Sequence, residues 1–353
     1  MHTCSASRPH GAIKPIVVMR DGLKIVSIAG RGDGLVATRT FAVGERIFIA
    51  SAFGYAQYRR EARQCCAQCM CFGEDERLLI HCPGGCGACY CSAECQRADE
   101  LSGHKFCCGA LKRIQMLPVG TARDAFVVRS AAEFLLRAFA ARRAAAGAAH
   151  DTTSAATFEA ALAQHRDNPR CTPGYAERES QREQAVELAM KHGGALLPLK
   201  RRADAMGLLR GEHCNSFCWR DDLGQPQGWA IYPEASILNH SCWPNTAYIV
   251  DGRRLIFEAI RPIAVGDELS ICYVRLPEND GTAEWGFCCE CERCDGRVGV
   301  EAIAAFDAVH LCPCGSLTTA AMKAAAMAAK GGPACQCETR SRLMDRGVAM
   351  EQQ

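Results

Sequence analysis

Long apolar runs are missing from this sequence. No stretch approaches the roughly 18 uninterrupted apolar residues that a membrane-spanning helix needs. The opening residues, "MHTCSASRPHGAIKPIVVMRDG", lack the apolar segment of a secretory signal. A strong excess of either charge is missing too. The net charge is only +2, which is not the footprint of a protein that grips nucleic acid along a basic stripe. These absences argue against a membrane protein and disfavour a nucleic-acid binder. The expected location is cytoplasmic and/or nuclear. A chain of 353 residues still has room for two or three modules.

What the sequence has in abundance is cysteine, 25 residues in all. Secreted disulfide scaffolds are much shorter, and thiols stay reduced in cytosol and nucleus. Clustered thiols inside a cell usually mean zinc. The densest run begins with Cys66-x2-Cys69, then Cys82-x3-Cys86, Cys91-x3-Cys95 and finally His104-x3-Cys108. Eight ligands in four pairs suit two tetrahedral zinc sites. A segment of 43 residues buries too little apolar surface to fold alone, so metal would supply the missing free energy. Cys65, Cys71, Cys89 and Cys107 are then spare thiols, with Cys86/Cys89 as an alternative to the Cys82/Cys86 pair.

On either side lie pieces of a β-rich domain. "LKIVSIAG", the Gly-rich turn "RGDG", "LVAT" and "RIFIA" read as short strands over 23–50. "RTFAVGERIFIA" (39–50) and "RPIAVGDELSIC" (261–272) repeat one frame, a tight turn feeding a strand. Between them, residues 110–205 are rich in helix formers. "ARDAFVVRSAAEFLLRAFAARRAAA" carries Phe126, Arg129, Glu133 and Arg137 at helical spacing, and its apolar stripe reads as packing. "AERESQREQAVELAMKHGG" (176–194) predicts a second helix with Gly193 as its C-cap.

Two resemblances organise these pieces. "YCSAECQRADELSGHKFCC" resembles the end of the MYND zinc finger. That resemblance implies interleaved sites, with Cys66, Cys69, Cys91 and Cys95 on one zinc and Cys82, Cys86, His104 and Cys108 on the other. "GRGDGLVAT", "CNSF", "LNHSCWPN", "GDELSICY" and "FCCECERC" follow one another in the order found in SET-domain protein lysine methyltransferases. A MYND finger inserted after the first strands resembles the SMYD family in particular, over about residues 20–295.

The implied fold is α+β: a β-rich SET fold with a pseudoknot, split by the finger and a helical insertion, plus a post-SET zinc site. The implied boundaries are 20–60 and 206–275 for the two SET parts, 65–108 for the finger and 110–205 for the insertion. The post-SET cluster spans 285–296, and a short Cys-containing tail spans 297–353 where the family has a long helical domain.

The family's site residues carry over one at a time. Arg31, Gly32 and Asp33 match the S-adenosylmethionine loop, Asn215 a further contact, Asn239 and His240 the cofactor pocket, and Phe287 an aromatic near the adenine. Tyr273 matches the catalytic tyrosine, which would also face the cofactor. Glu268 reads as a brace. Cys289, Cys291 and Cys294 are one ligand short of a tetrahedron, and Cys242 would be the fourth, with Cys288 as a rival to Cys289. That makes about three zinc ions per chain, or four if Cys312, Cys314, Cys335 and Cys337 bind another.

The implied function is S-adenosylmethionine-dependent methylation of protein lysines on histone tails or other proteins. The alternative is a non-catalytic adaptor whose finger binds Pro-rich peptides in transcriptional regulation.

Overall fold

The computed structural model describes residues 21–58, 65–70, 80–117, 123–147, 175–220, 226–274, 276, 282, 285–311 and 317–319. The tail cysteines Cys312, Cys314, Cys335 and Cys337 lie outside the described residues. No described helix is long and apolar enough to cross a membrane.

Among the described residues, the β elements are short and form five small sheets. Strands β1 (Leu23–Ile28) and β2 (Gly32–Ala37) make a hairpin in the register Leu23↔Ala37 to Ile28↔Gly32. Strand β3 (Arg46–Ser51) pairs with β11 (Arg254–Ala259), which in turn pairs with β10 (Thr246–Asp251). Strand β4 (Gly54–Gln57) pairs with β8 (Pro226–Ile231), and β8 with β7 (Ser216–Arg220). Ile47, Phe48 and Ala50 are buried along β3, and since the consecutive Ile47 and Phe48 point to opposite faces, both sides of this strand are covered.

The repeated turn motif has a structural meaning. Phe41 and Ile263 exchange both backbone hydrogen bonds, at 2.9 and 3.0 Å. The Ala42 amide donates to the Glu45 carboxylate at 2.9 Å, and the Ala264 amide donates to Asp267 at 2.8 Å. Each acid therefore closes its own turn, and the two turns face each other like halves of a local two-fold.

Inserted between β4 and β7 are the cysteine-rich module and the helices. The module holds β5 (Ile80–His81), β6 (Cys89–Tyr90), α1 (Ala93–Asp99) and α2 (Lys105–Gln115), with a wide turn over 100–104. Helix α1 starts where Ser92 accepts a hydrogen bond from the Cys95 amide at 3.2 Å, an N-cap that satisfies an otherwise orphaned donor. Helix α3 (Arg123–Gly147) is the central strut. Phe134, Leu135 and Leu136 are wholly buried, and α3 packs against α2, β4 and α4 (Tyr175–Gly193). Glu133 and Arg137, one turn apart, are buried as a pair 3.7 Å apart. Helix α5 (Arg202–Asn215) leads into β7. The end of α4 departs from expectation. Gly193 keeps right-handed helical angles, and the left-handed residue is Gly194, one position later.

The tip of the β10–β11 hairpin fastens the module to the rest of the fold. Gly252 sits at φ +60, and a Cβ there would come within 2.9 Å of the Cys69 carbonyl oxygen, so only glycine lets the tip approach. Next to it, Arg253 donates to Asp99 at 3.0 Å and to Ser102 at 3.2 Å.

Downstream, β9 (Asn239–His240) and β12 (Ser270–Ile271) pair in parallel, Ser270 with Asn239 and Ile271 with His240. This pairing threads one segment beneath another. Asn245 locks it: its amide donates to the Glu268 carbonyl and its side-chain oxygen accepts from the Ser270 amide, both at 2.9 Å. Replacing Asn245 with alanine would orphan both partners and should cost about 3 kcal/mol by denaturant unfolding. A change below ~1 kcal/mol would deny Asn245 that role. Helix α6 (Val300–His310) then packs Phe306 against Trp243, with ring centroids 4.6 Å apart.

Candidate functional site

Among the described residues, three tetrads of metal donors are preassembled. Cys66, Cys69, Cys91 and Cys95 form one, and Cys82, Cys86, His104 and Cys108 the second. Cys242, Cys289, Cys291 and Cys294 form the third, and in each tetrad all ligand atoms lie within 4.8 Å of one another. Four soft donors converging in this way is the chemistry of closed zinc sites, and the tetrads fit three zinc ions. Within them, Cys69 and Cys91 Sγ are 3.5 Å apart, and His104 Nε2 is 3.3 Å from Cys82 Sγ. In the third, hydrogen bonding from Cys242 first, and from its neighbours, holds the Cys291 thiol down to about 3, despite opposition from burial.

The alternative ligands lie elsewhere. Cys89 is buried and directs its thiol to the Cys65 carbonyl at 3.3 Å, while Cys288 is exposed and outside the third tetrad. Burial pushes Cys107 and Cys272 up to about 12. Alkylation at pH 8 should therefore label Cys288 and Cys218, both exposed, and leave Cys107 and Cys272 unmodified in mass spectra. Fast labelling of Cys107 or Cys272 would count against this arrangement.

The second tetrad has a supporting layer. Asp99, 2% exposed, lies 3.3 Å from His104 Nδ1 and accepts from Tyr90 at 2.9 Å, besides taking Arg253. A carboxylate behind a ligating histidine fixes the ring and raises its basicity. Here the same carboxylate also holds the β10–β11 tip.

The third tetrad lies beside the pseudoknot, where the other sequence-derived residues gather. Arg31, in the β1–β2 turn, donates to Glu268 at 2.7 Å and to the His240 carbonyl at 2.6 Å. Asn239 donates to the other Glu268 oxygen at 2.8 Å and to the Asp33 carbonyl at 3.3 Å. His240 is 3% exposed, and burial lowers its pKa to about 4, so the ring is neutral. The Tyr273 hydroxyl donates to the Leu238 carbonyl, and burial raises that phenol well above its usual range. The His240 ring is 5.2 Å from that of Tyr273 and 5.8 Å from that of Phe287. Asn215, at the end of α5, donates to the Gly211 carbonyl of its own helix at 2.9 Å.

A polar cleft of about 390 Å³ opens nearby, bounded by Arg31, Ser241, Asn245, Glu268, Glu290 and Arg297 among others; Arg31 and Glu268 line it, whereas Asn239, His240, Tyr273 and Phe287 do not.

Three features escaped the sequence reading. Glu268 is more than a brace, since it joins Arg31 to Asn239. The Trp285 ring lies 5.7 Å from that of Tyr273, tilted by 47°, and an aromatic twelve residues from Tyr273 carries no local signal. At Gly34, a Cβ would fall 2.5 Å from Ile28 Cδ1 and 2.9 Å from Asn239 Nδ2. The second glycine of "GDG" was the available clue.

This fold and site define a class. The SET-domain model matches residues 32–274, and the chain belongs to the SET-domain family. Within that family its similarity is to the SMYD branch. N-lysine methyltransferase SMYD2-A of Xenopus laevis is 27% identical over 291 residues, covering 78% of this chain and 61% of that protein. Histone-lysine N-methyltransferase SMYD3 of Homo sapiens is 38% identical over 87 residues, 23% of this chain and 20% of that one. The chain thus spans about three fifths of the length of SMYD2-A (61%). The SET domain of LSMT bound to lysine and AdoHcy overlays with a TM-score of 0.37 and 12% identity, over 77% of this chain and 54% of that one.

Proposed function

We propose that this chain transfers a methyl group from S-adenosylmethionine to the side-chain amine of protein lysines, histone or non-histone. The main support is the hydrogen-bonded convergence of Tyr273, the Asn239–His240 pair, Glu268 and the Arg31 loop, in a chain of the SET-domain family. The names of its relatives, N-lysine and histone-lysine methyltransferases, point the same way. The cleft suits a ligand with charges of both signs, because Glu268 and Glu290 line it beside Arg31 and Arg297. Arg31, Gly32, Asp33, Asn239 and Phe287 would hold the donor, with Asn215 assigned by resemblance alone. When bound, the donor supplies an electrophilic methyl on a sulfonium.

The chain's own residues must present a neutral amine in line with that methyl. Free lysine titrates near 10.4, so deprotonation at pH 7 costs about 4–5 kcal/mol. Tyr273 and Trp285, with ring centroids 5.7 Å apart, would give the amine an apolar surface that lowers that cost. Burial raises the Tyr273 phenol, which disfavours the phenolate that a general base would need. Its hydroxyl orients the amine instead, and alignment of this kind is where such reactions gain most. An adaptor role would leave these contacts around Tyr273 without a use.

The test is transfer of labelled methyl groups to histones and to a mixed protein extract by metal-replete enzyme. Absence of both transfer and donor binding would sink the proposal. The pH dependence carries a sign. The neutral fraction of lysine grows as pH rises, so kcat/KM should climb about tenfold per unit between pH 7 and 9. Residual activity of Tyr273→Phe should keep that slope. A plateau in wild type that vanishes in the variant would make Tyr273 the base.

A further inference from the structure

The imidazole of His240 lies between two partners of different kinds. Its Nδ1 is 2.9 Å from the Tyr273 backbone nitrogen, and a backbone N–H can only donate. Nδ1 therefore bears no proton, and in a neutral ring the proton sits on Nε2. Nε2 is 3.2 Å from Cys242 Sγ, so this second bond runs from ring to sulfur. Such a bond strengthens when the sulfur is a thiolate. Both ring nitrogens are thus committed, which leaves the side chain none to offer a ligand. The His240 carbonyl, for its part, takes the Arg31 guanidinium at 2.6 Å.

We infer that His240 is a positioning residue whose imidazole, locked as the Nε2–H tautomer, joins the Cys242 metal site to the backbone of Tyr273 so that the two are held as one unit. The kinetic part of the inference rests on the methyl-transfer reading, and the tautomer and metal parts rest on geometry alone. Zinc would be held by Cys242, Cys289, Cys291 and Cys294, and His240 would orient the first of these from outside the tetrad. Outer partners of this sort typically change metal affinity by 10–100-fold.

Two amide substitutions separate the two bonds. The asparagine side chain reaches the Nδ1 position and can still accept from Tyr273, whereas glutamine reaches the Nε2 position and can still donate to Cys242. In His240→Asn, one of about three zinc equivalents should pass to a chelator ~10-fold faster than in wild type, with the smaller loss in kcat. In His240→Gln, zinc release should stay within about threefold, while kcat falls ~10-fold at a donor KM changed less than threefold. Spectra of 15N-histidine-labelled protein should show His240 protonated on Nε2. Protonation on Nδ1, or identical behaviour of the two variants, would overturn the inference. Should wild type transfer no methyl at all, the methyl-transfer reading fails, and the tautomer and zinc-release results still decide this one.

Discussion

Tyr273→Phe is expected to lower kcat for methyl transfer by at least ~10²-fold, while zinc content and unfolding midpoint stay close to wild type. The substitution removes one oxygen and keeps the ring. The ring contacts to His240 and Trp285 and the backbone bond to His240 therefore survive. Only the bond from the hydroxyl to the Leu238 carbonyl is lost from the protein itself. A neutral hydrogen bond of this sort contributes only about 1 kcal/mol to stability. A large rate loss without a stability loss would thus localise the hydroxyl's work to the reacting groups. Equal turnover of the two proteins, measured with labelled donor on the same substrates, would remove Tyr273 from the mechanism.

The second large effect is expected at Cys242. Its side chain is wholly buried between the pseudoknot and the segment that follows Trp285. Cys242→Ser should lose one zinc equivalent by metal analysis and weaken S-adenosylmethionine binding at least ~100-fold by calorimetry, a metal-ligand effect set above the upper end of outer-layer effects. The reason is geometric. Without the metal, Cys289, Cys291 and Cys294 have no anchor on the pseudoknot, and Phe287, two residues before the cluster, loses its place beside His240. The matching control is Cys288→Ser, an exposed thiol outside the tetrad, which should leave both readings within twofold. If Cys242→Ser bound donor as tightly as Cys288→Ser, the cluster would be a passive clasp with no bearing on the site.

The two effects also share a path. Cys242 and Tyr273 are linked through His240, so damage at the metal is expected to reach the tyrosine backbone before it unfolds the domain. The first and second tetrads sit farther off in the chain. They are tied in through Asp99 and Arg253, residues 154 positions apart, and their loss would act through the β10–β11 hairpin.

Legibility in the sequence varied with the range of the interaction. The metal ligands were readable because zinc limits the residue types, and because within each tetrad most ligands are neighbours in the chain. The strands around the Gly-rich turn and the helix over 123–147 were readable from local periodicity. Gly193 was misjudged by one position because two adjacent glycines are equally able to take a left-handed angle, and packing chose between them. The acid-closed turns were visible as a repeat, yet nothing in either copy said that the two would bond to each other.

By itself, the sequence determined which chemistry the chain carries: thiols grouped for metal, a Gly-rich turn, an Asn-His pair and a strand-end tyrosine. Those are properties of residue type and short spacing. Only the tertiary structure decided who meets whom. Arg31 and Glu268 are 237 positions apart, Arg31 and His240 are 209, and His240 and Tyr273 are 33. Those contacts arise because parallel pairing of β9 with β12 threads one segment under another, and no local pattern encodes which buried donor will face which acceptor once the thread is drawn.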